Sequence, residues 1–290
     1  MSKKSDFDEI SIETLNEVRS KFVAFYESNR DTIDESDYKR VMSDDLWLRR
    51  HIRRRRGQVE QSSQFVIDVM QWRHKNKVSE MCDAKFPREF HEVSGIYPFK
   101  EDVHGNLVLH VRIRLFQRIP AIIEKLKNYT IYQLVKIDEM SAANGVGWVL
   151  LLDCTGTGIV NADLEMANFL VSTLRSYFPS GQQYILIHNL PWYLTALKNV
   201  VFAMLPGYVK NRIKSSSETT LEDYITKNNL PDYLGGETGD AYRVIPDGLK
   251  TTMQMSNDGE MPTINEQDLQ KVAKYYEKVR SIIKENQSRT

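Results

Sequence analysis

Residues 148–153, Trp-Val-Leu-Leu-Leu-Asp, form an apolar run that ends in an acid, crosses a turn holding Gly156 and Gly158, and opens a helical pattern by Leu164. A strand that turns straight into a helix is half of a crossover unit, and here it is one of several. Upstream, Leu107, Leu109, Val111, Ile113 and Leu115 alternate at period two after the turn-like Asp102–Asn106 stretch, which predicts a half-buried strand. An amphipathic stretch follows from about 119 to 140. Beyond the central strand come a helix after Asn161, the strand "QYILIHN", the apolar "WYLTALKNVVFAML" and a short strand around "RIKSS". Such alternation predicts an α/β domain with a mostly parallel sheet.

The glycine turn raises the question of a nucleotide site. A dinucleotide fingerprint needs a third glycine where the helix packs on its strand, and position 161 is Asn. Asn161 reads better as the N-cap of the next helix, and Asp163 and Glu165 put negative charge where a pyrophosphate would sit. A structural crossover turn is the stronger reading, with Asp153 as a turn-stabilising residue rather than a base or metal ligand. The chain has no Gly-x-Ser-x-Gly elbow, no phosphate-cradling Gly-x-x-x-x-Gly-Lys loop and no His-Glu-x-x-His. Its six histidines, His51, His74, His91, His104, His110 and His188, show no helical spacing to a second ligand. The expectation is a protein with no catalytic residue, no metal and no cofactor.

Charge gives no general reason to bind nucleic acid, because Lys plus Arg and Asp plus Glu are 39 each. The two cysteines, Cys82 and Cys154, suit a reducing compartment. No apolar run approaches the roughly 18 residues of a membrane span, and the start carries no apolar signal segment, so a cytosolic protein is expected. The basic run "RRHIRRRR" at 49–56 is the local exception. Leu48, Ile52 and Val59 continue an apolar spacing through it, which predicts one helix with a solvated basic face; contact with an anionic lipid or phosphate is the alternative. No aromatic residues interleave with the arginines, so nucleic acid is not expected as a partner.

Three regions follow from the pattern: a helical lobe at 1–90, an α/β domain at 91–238, and a linker with an amphipathic helix at 239–290. In the lobe, Leu15, Val18, Phe22, Phe25 and Tyr26 share one face, and Phe65, Val69, Met70 and Trp72 another. A Thr219–Glu222 capping box predicts a helix closing the α/β domain, "MSNDGEMP" reads as linker, and a Thr263–Glu266 box predicts the start of the last helix. That helix repeats Leu269, Val272, Tyr276, Val279 and Ile283 at three and four spacing. Its stripe must be covered, either by the same chain or by self-association or a protein partner.

Residues 192–205 are the least ordinary stretch, with only Thr195, Lys198 and Asn199 polar. A helix apolar nearly all round is buried on most sides or meets lipid. Lys198, Lys210, Arg212 and Lys214 around it favour a helix that faces both an apolar cavity and a membrane surface over a plain core helix.

Taken together these segments resemble the CRAL-TRIO family of lipid-binding proteins over about residues 40–238. The carriers are "DDLWLRRHIRRRRGQVEQSSQFVIDVMQWR", "VLLLDCTGTG", "YFPSGQQYILIHNLPWYLTALKNVVFAMLPGYVKNRIK" and "TLEDYITKNNLPDYLGGE". Within the family, "DDLWLRRHI", "QWRHKNKVSE", "NLPWYL" and "YITKNNLPDYLGGE" are most similar to the N-terminal half of the motile sperm domain-containing proteins. The resemblance implies an α/β CRAL-TRIO fold: a mostly parallel sheet and helical walls around one apolar lipid cavity, after a small N-terminal helical lobe. It implies a gate helix at 192–205 carrying Trp192, Tyr193, Leu197, Val201, Phe202 and Leu205, and a cavity wall of Trp148, Leu150, Phe169 and Leu170. Head-group or anionic contact falls to Arg55, Arg56 and Arg212. Two departures bear on the ligand. Pro179-Ser180-Gly181 stands where phosphatidylinositol binders carry Pro-Glu-Arg, and Trp148 and Leu150 take the places of the small hydroxyl residues of phosphatidylcholine binders.

The function implied is a non-enzymatic one: a small hydrophobic or phospholipid ligand held in the cavity and presented or transferred at membrane surfaces, by a cytoplasmic protein peripherally associated with membranes. A tether or adaptor with a vestigial cavity is the alternative. Burying a methylene is worth roughly 0.8 kcal/mol, so a lipid of about 30 methylenes gains more than about 20 kcal/mol against water, and the bilayer offers the same. Such a pocket exchanges lipid near thermoneutrality and acts by lowering the barrier of passage through water.

Overall fold

The computed structural model describes residues 10–179, 181–203, 205 and 207–287. They sort into two compact units: the residues up to Met81 together with Phe169–Gln182, and Cys82–Asn168 together with Gln183 onward.

The first unit is helical. Helix α1 (Ile12–Ser28) starts where the Ser11 hydroxyl accepts the Thr14 N–H, and turns Leu15, Val18 and Phe22 inward. Helices α2 (Glu35–Ser43), α3 (Asp45–Arg54) and α4 (Val59–Lys75) complete the core with Val41, Leu48, Ile52, Phe65, Val66 and Met70. Asp44 caps α3 by accepting the Trp47 N–H at 2.9 Å. A buried pair, Arg73 Nε to both Asp37 oxygens at 3.0 and 2.9 Å, ties α4 to α2. The basic run is not one helix. It breaks after Arg54, where Arg56 (φ 55°) and Gly57 (φ 75°) adopt left-handed backbone and turn the chain into α4, so the apolar spacing from Ile52 to Val59 spans a turn.

The second unit is built on a five-stranded sheet in the order β1-β2-β3-β4-β5: β1 (Ile96–Glu101), β2 (Leu107–Arg112), β3 (Trp148–Asp153), β4 (Gln182–His188) and β5 (Ile213–Ser216). Strands β2 and β3 are parallel, as are β4 and β5, while β1 runs antiparallel to β2. The sequence pattern gave no sign of β1, because Pro98 interrupts it; as an edge strand it tolerates the missing N–H. Asp102 closes the β1–β2 turn by accepting the His104 and Asn106 N–H groups, both at 2.8 Å. Helix α5 (Arg88–Val93) precedes β1, and α6 (Pro120–Ala143), opened by Pro120, packs on β1, β2 and β3. Helix α7 (Leu164–Tyr177) follows β3, and α8 (Thr195–Ala203) and α9 (Gly207–Lys210) follow β4.

The closing segment differs from the helix expected after Thr219. It forms three short 3-10 turns, Leu221–Asp223, Lys227–Asn229 and Asp232–Leu234. The Tyr224 carbonyl accepts the Val103 N–H at 2.8 Å instead of continuing a helix, and Pro231 has no N–H to donate. Leu221, Ile225 and Leu230 thereby reach the sheet. "MSNDGEMP" is not linker throughout. Helix α10 (Thr252–Asn257), capped by a reciprocal Thr251–Gln254 box, takes its first three residues, and Met255 and Met261 are buried. Helix α11 (Glu266–Gln287) is capped by Asn265, which accepts the Asp268 N–H at 2.8 Å, and not by Thr263. Its stripe of Val272, Tyr276, Val279 and Ile283 is buried within the same unit, where α11 packs on α5. Tyr276 Oη lies 3.1 Å from Thr252 Oγ1, and Tyr275 donates to the Leu115 carbonyl at 2.8 Å.

Candidate functional site

Strand register decides which side chains share a face. Val108 pairs with Val149 and His110 with Leu151, and Val108, Val149, Leu151, Tyr184 and Leu186 pack with Leu221, Ile225 and Leu230. Their neighbours in sequence therefore form the other face: Leu109, Leu150, Ile187, Val111, Leu152, Ile185 and Ile213. Leu109, Leu150 and Ile187 are buried, whereas Val111, Leu152, Ile185 and Ile213 are only half-buried. This is an apolar floor that the chain itself covers incompletely. Sequence reasoning named Leu150 as cavity wall and put Leu109 and Val111 on one face of a half-buried strand; the pairing of Ile185 with Ile213 is a property of the sheet.

Trp148 lies on the floor side but is fully buried, and its indole Nε1 donates to Asp138 Oδ1 of α6 at 3.0 Å. It fills space at the start of β3 and spends its polar atom within the protein. Phe169 and Leu170, on α7, are half-buried and belong to the first unit.

The opposite face carries a polar row at the strand ends: Arg112 of β2, Asp153 of β3, His188 of β4 and Ser216 of β5, all but Ser216 buried. Ser216 Oγ is 3.0 Å from His188 Nδ1. Asp153, however, accepts the Thr155 N–H at 2.9 Å in the turn it closes, and Arg112 stacks on Tyr233, its Cζ 3.8 Å from the ring centre. Burial raises the Asp153 carboxyl and lowers the His188 imidazole, so each is driven toward its neutral form, against the opposing pull of the other's charge. The row braces the sheet end and faces away from the apolar floor, so it is not placed to act on anything bound there. Among the described residues no cluster of three metal-ligating side chains occurs.

The glycine turn is held from within. Gly156 needs its left-handed φ of 65°, and an added Cβ there would meet Arg114 Cδ at 3.0 Å. Asn161 is not the N-cap of α7. Its Oδ1 accepts the Gly158 N–H at 2.8 Å and its Nδ2 donates to the Arg114 and Phe116 carbonyls at 3.1 and 2.7 Å, clamping a 3-10 turn at Ile159–Asn161. Asp163 caps α7 instead, accepting the Met166 N–H at 2.7 Å. Burying the Asn161 amide against two carbonyls of another segment outweighs its intrinsic capping preference.

The 192–205 segment begins as a 3-10 turn, Trp192–Leu194, and becomes α8 at Thr195. Leu194 and Leu205 are buried, but no residue of α8 is. Leu197, Val201 and Phe202 are half-buried, Tyr193 and Val200 are exposed, and Trp192 is 85% exposed. Lys198 Nζ lies 5.5 Å from the Phe202 ring centre. Tyr193 Oη donates to the Thr157 carbonyl, tying the segment to the glycine turn. Met204, and Ser180 of the Pro179-Ser180-Gly181 stretch, lie outside the described residues.

The basic run is largely engaged within the first unit. Arg49 donates to the Ile10 carbonyl, Arg50 is buried, Arg54 donates to the Arg175 carbonyl at 3.2 Å, and Arg55 stacks 4.4 Å from the Phe65 ring centre. Arg56 is exposed on the left-handed turn. Arg212 is exposed beside β5 in the second unit, so the three arginines do not form one cluster within either unit.

The model of the CRAL/TRIO domain matches residues 92–236, half of the chain. The Sec14 cytosolic factor of Schizosaccharomyces pombe is 22% identical over 213 residues, covering 67% of this chain and 74% of that protein. The crystal structure of Sfh5 superposes with a TM-score of 0.59 at 12% identity, covering 90% of this chain and 98% of that one, which shows a shared fold. No helix of the described residues is long and apolar enough to cross a membrane. On the matched half and the five-stranded α/β architecture, this chain belongs to the CRAL/TRIO domain family.

Proposed function

We propose that this chain holds one small hydrophobic or phospholipid molecule against the Leu109–Leu150–Ile187 face, uses residues 192–205 as the gate over it, and presents or transfers that lipid at membrane surfaces. Membership of the family implies lipid binding and transfer, and the cytoplasm is the compartment we assign, with peripheral membrane association. The observation that carries the gate is the exposure of α8. Six of its nine residues, Ala196, Leu197, Val200, Val201, Phe202 and Ala203, are apolar and none is buried. A core helix of that composition buries a flank, so a helix that does not is better suited to trading a cavity for an acyl boundary. The narrower likeness to motile sperm domain-containing proteins fits the same role.

The ligand's polar end is read from what the floor lacks. Trp148, bonded to Asp138 of α6, fills the start of β3, so strand hydroxyls are not the head-group contact; Arg55, Arg56 and Arg212 are the head-group or anionic contacts in this reading, and of these Arg56 and Arg212 are exposed. The test is Val201→Asp with Phe202→Asp. Lipid exchange between vesicles should slow by about tenfold or more, because charge opposes insertion at the interface. The melting temperature should move only a few degrees, since both positions already see solvent. Loss of soluble folding would make α8 ordinary core; unchanged exchange would favour a tether.

A further inference from the structure

At the end of the sheet where β3 and β4 finish, the Cys154 N–H meets the His188 carbonyl at 2.9 Å, so the turns that follow both strands emerge side by side. They carry a concentration of exposed apolar surface: Ile159 at 73%, Val160 at 71%, Leu164 at 44% and Trp192 at 85%. Two adjacent β-branched residues exposed to that degree are not a loose loop's accident, because Asn161 clamps their turn with three hydrogen bonds. Tyr193, next to Trp192, is hydrogen-bonded back to Thr157. The patch is fixed before anything meets it, and little conformational entropy is lost on docking.

We propose that Ile159, Val160, Leu164 and Trp192 form a rigid anchor that inserts into the interfacial layer of a bilayer, Trp192 being the fixed end of the 192–205 gate, held through its neighbour Tyr193, and α8 the part that moves. The inference rests on the reading that the protein works at membranes. Two observations select a bilayer over a protein. The patch is four side chains, far below the roughly 20–30 residues a side of a standard protein interface, whereas a few apolar side chains with a Trp suffice at an acyl boundary. The carboxylates beside it are also neutralised. Asp163 is held by Arg118 at 2.5 and 2.8 Å, and Glu165 by Arg118 and Lys127, each at 3.0 Å. A compensated rim neither repels lipid phosphates nor depends on them, so docking through this patch takes neutral phosphatidylcholine and is insensitive to salt.

The test is co-sedimentation of the full chain with phosphatidylcholine vesicles at low and high salt. Ile159→Asp with Val160→Asp should lower the vesicle-bound fraction by about tenfold at either salt, with unchanged circular dichroism and melting, since both residues are already in water. Ile159→Leu with Val160→Leu should bind as the parent does. Trp192→Phe should remove the blue shift of tryptophan emission that vesicles produce. Equal binding by the Asp pair overturns the anchor, as does binding that needs anionic lipid and vanishes in salt. A concentration-dependent dimer dispersed by the Asp pair assigns the patch to a second copy instead. Lipid co-purifying with the Asp pair separates the two claims: its presence leaves the cavity reading intact if the anchor fails, and its absence from the parent protein removes the cavity while the docking result stands.

Discussion

His51 is enclosed in the first unit between Trp47, 3.6 Å away ring centre to ring centre, and Phe65, with its Nδ1–H donated to the Trp47 carbonyl at 2.8 Å. Burial, with Arg50, Arg73 and Arg40 nearby, pushes its pKa down to about 3. His110 in the second unit is lowered to about 3 by the same cause, with Arg112 beside it. Both are neutral when folded, while the unfolded chain takes up a proton near 6.5, so the unfolded state binds more protons between those values. The stability these neutral imidazoles allow is therefore complete above about pH 6.5 and lost as pH falls toward 3, at about 1.4 kcal/mol per pH step for each histidine. Urea denaturation from pH 7 to 5 should show a falling midpoint, and His51→Gln should flatten the slope in the first unit. A midpoint that holds or rises on acidification would contradict this. The six histidines offered no ligand spacing in the sequence; that two of them are buried, uncharged packing residues could be seen only once both units were folded around them.

Among the elements, those with a regular period were legible in the sequence: α1 and α4 from their apolar faces, α6 from its amphipathic run, β2, β3 and β4 from their strand patterns. The misreadings share a cause. Asn161, the 219–236 segment and the turn after Arg54 each have local chemistry suited to a helix, and in each the backbone is engaged elsewhere: by the Arg114 and Phe116 carbonyls, by the Val103 N–H, and by left-handed residues at Arg56 and Gly57. The α11 stripe was visible as a pattern, though its cover was not. With Val272, Tyr276, Val279 and Ile283 buried inside the same unit, the helix acts as part of that unit's core. Val279→Asp should destabilise by about 3–5 kcal/mol without altering oligomeric state, because a carboxylate is placed in a sealed apolar contact. Sedimentation velocity with chemical denaturation checks this; a parent dimer converted to a stable monomer would return the helix to the self-association reading.

For the whole molecule, the floor is the part of the site that no single segment displays. Leu109, Leu150 and Ile187 come from three strands, and only the pairing of those strands, with Val108, Val149, Tyr184 and Leu186 packed together on the opposite face, puts them on one side with the half-buried Val111, Leu152, Ile185 and Ile213. An incompletely covered apolar floor and an unburied apolar helix are each unfavourable in water, and a lipid in contact with both would relieve the two together. Native mass spectrometry of the purified full chain, followed by lipid extraction, detects such a lipid. The expected result is a folded protein carrying one lipid molecule per chain, released on denaturation. A folded chain at its bare polypeptide mass, with no lipid in the extract, would contradict it.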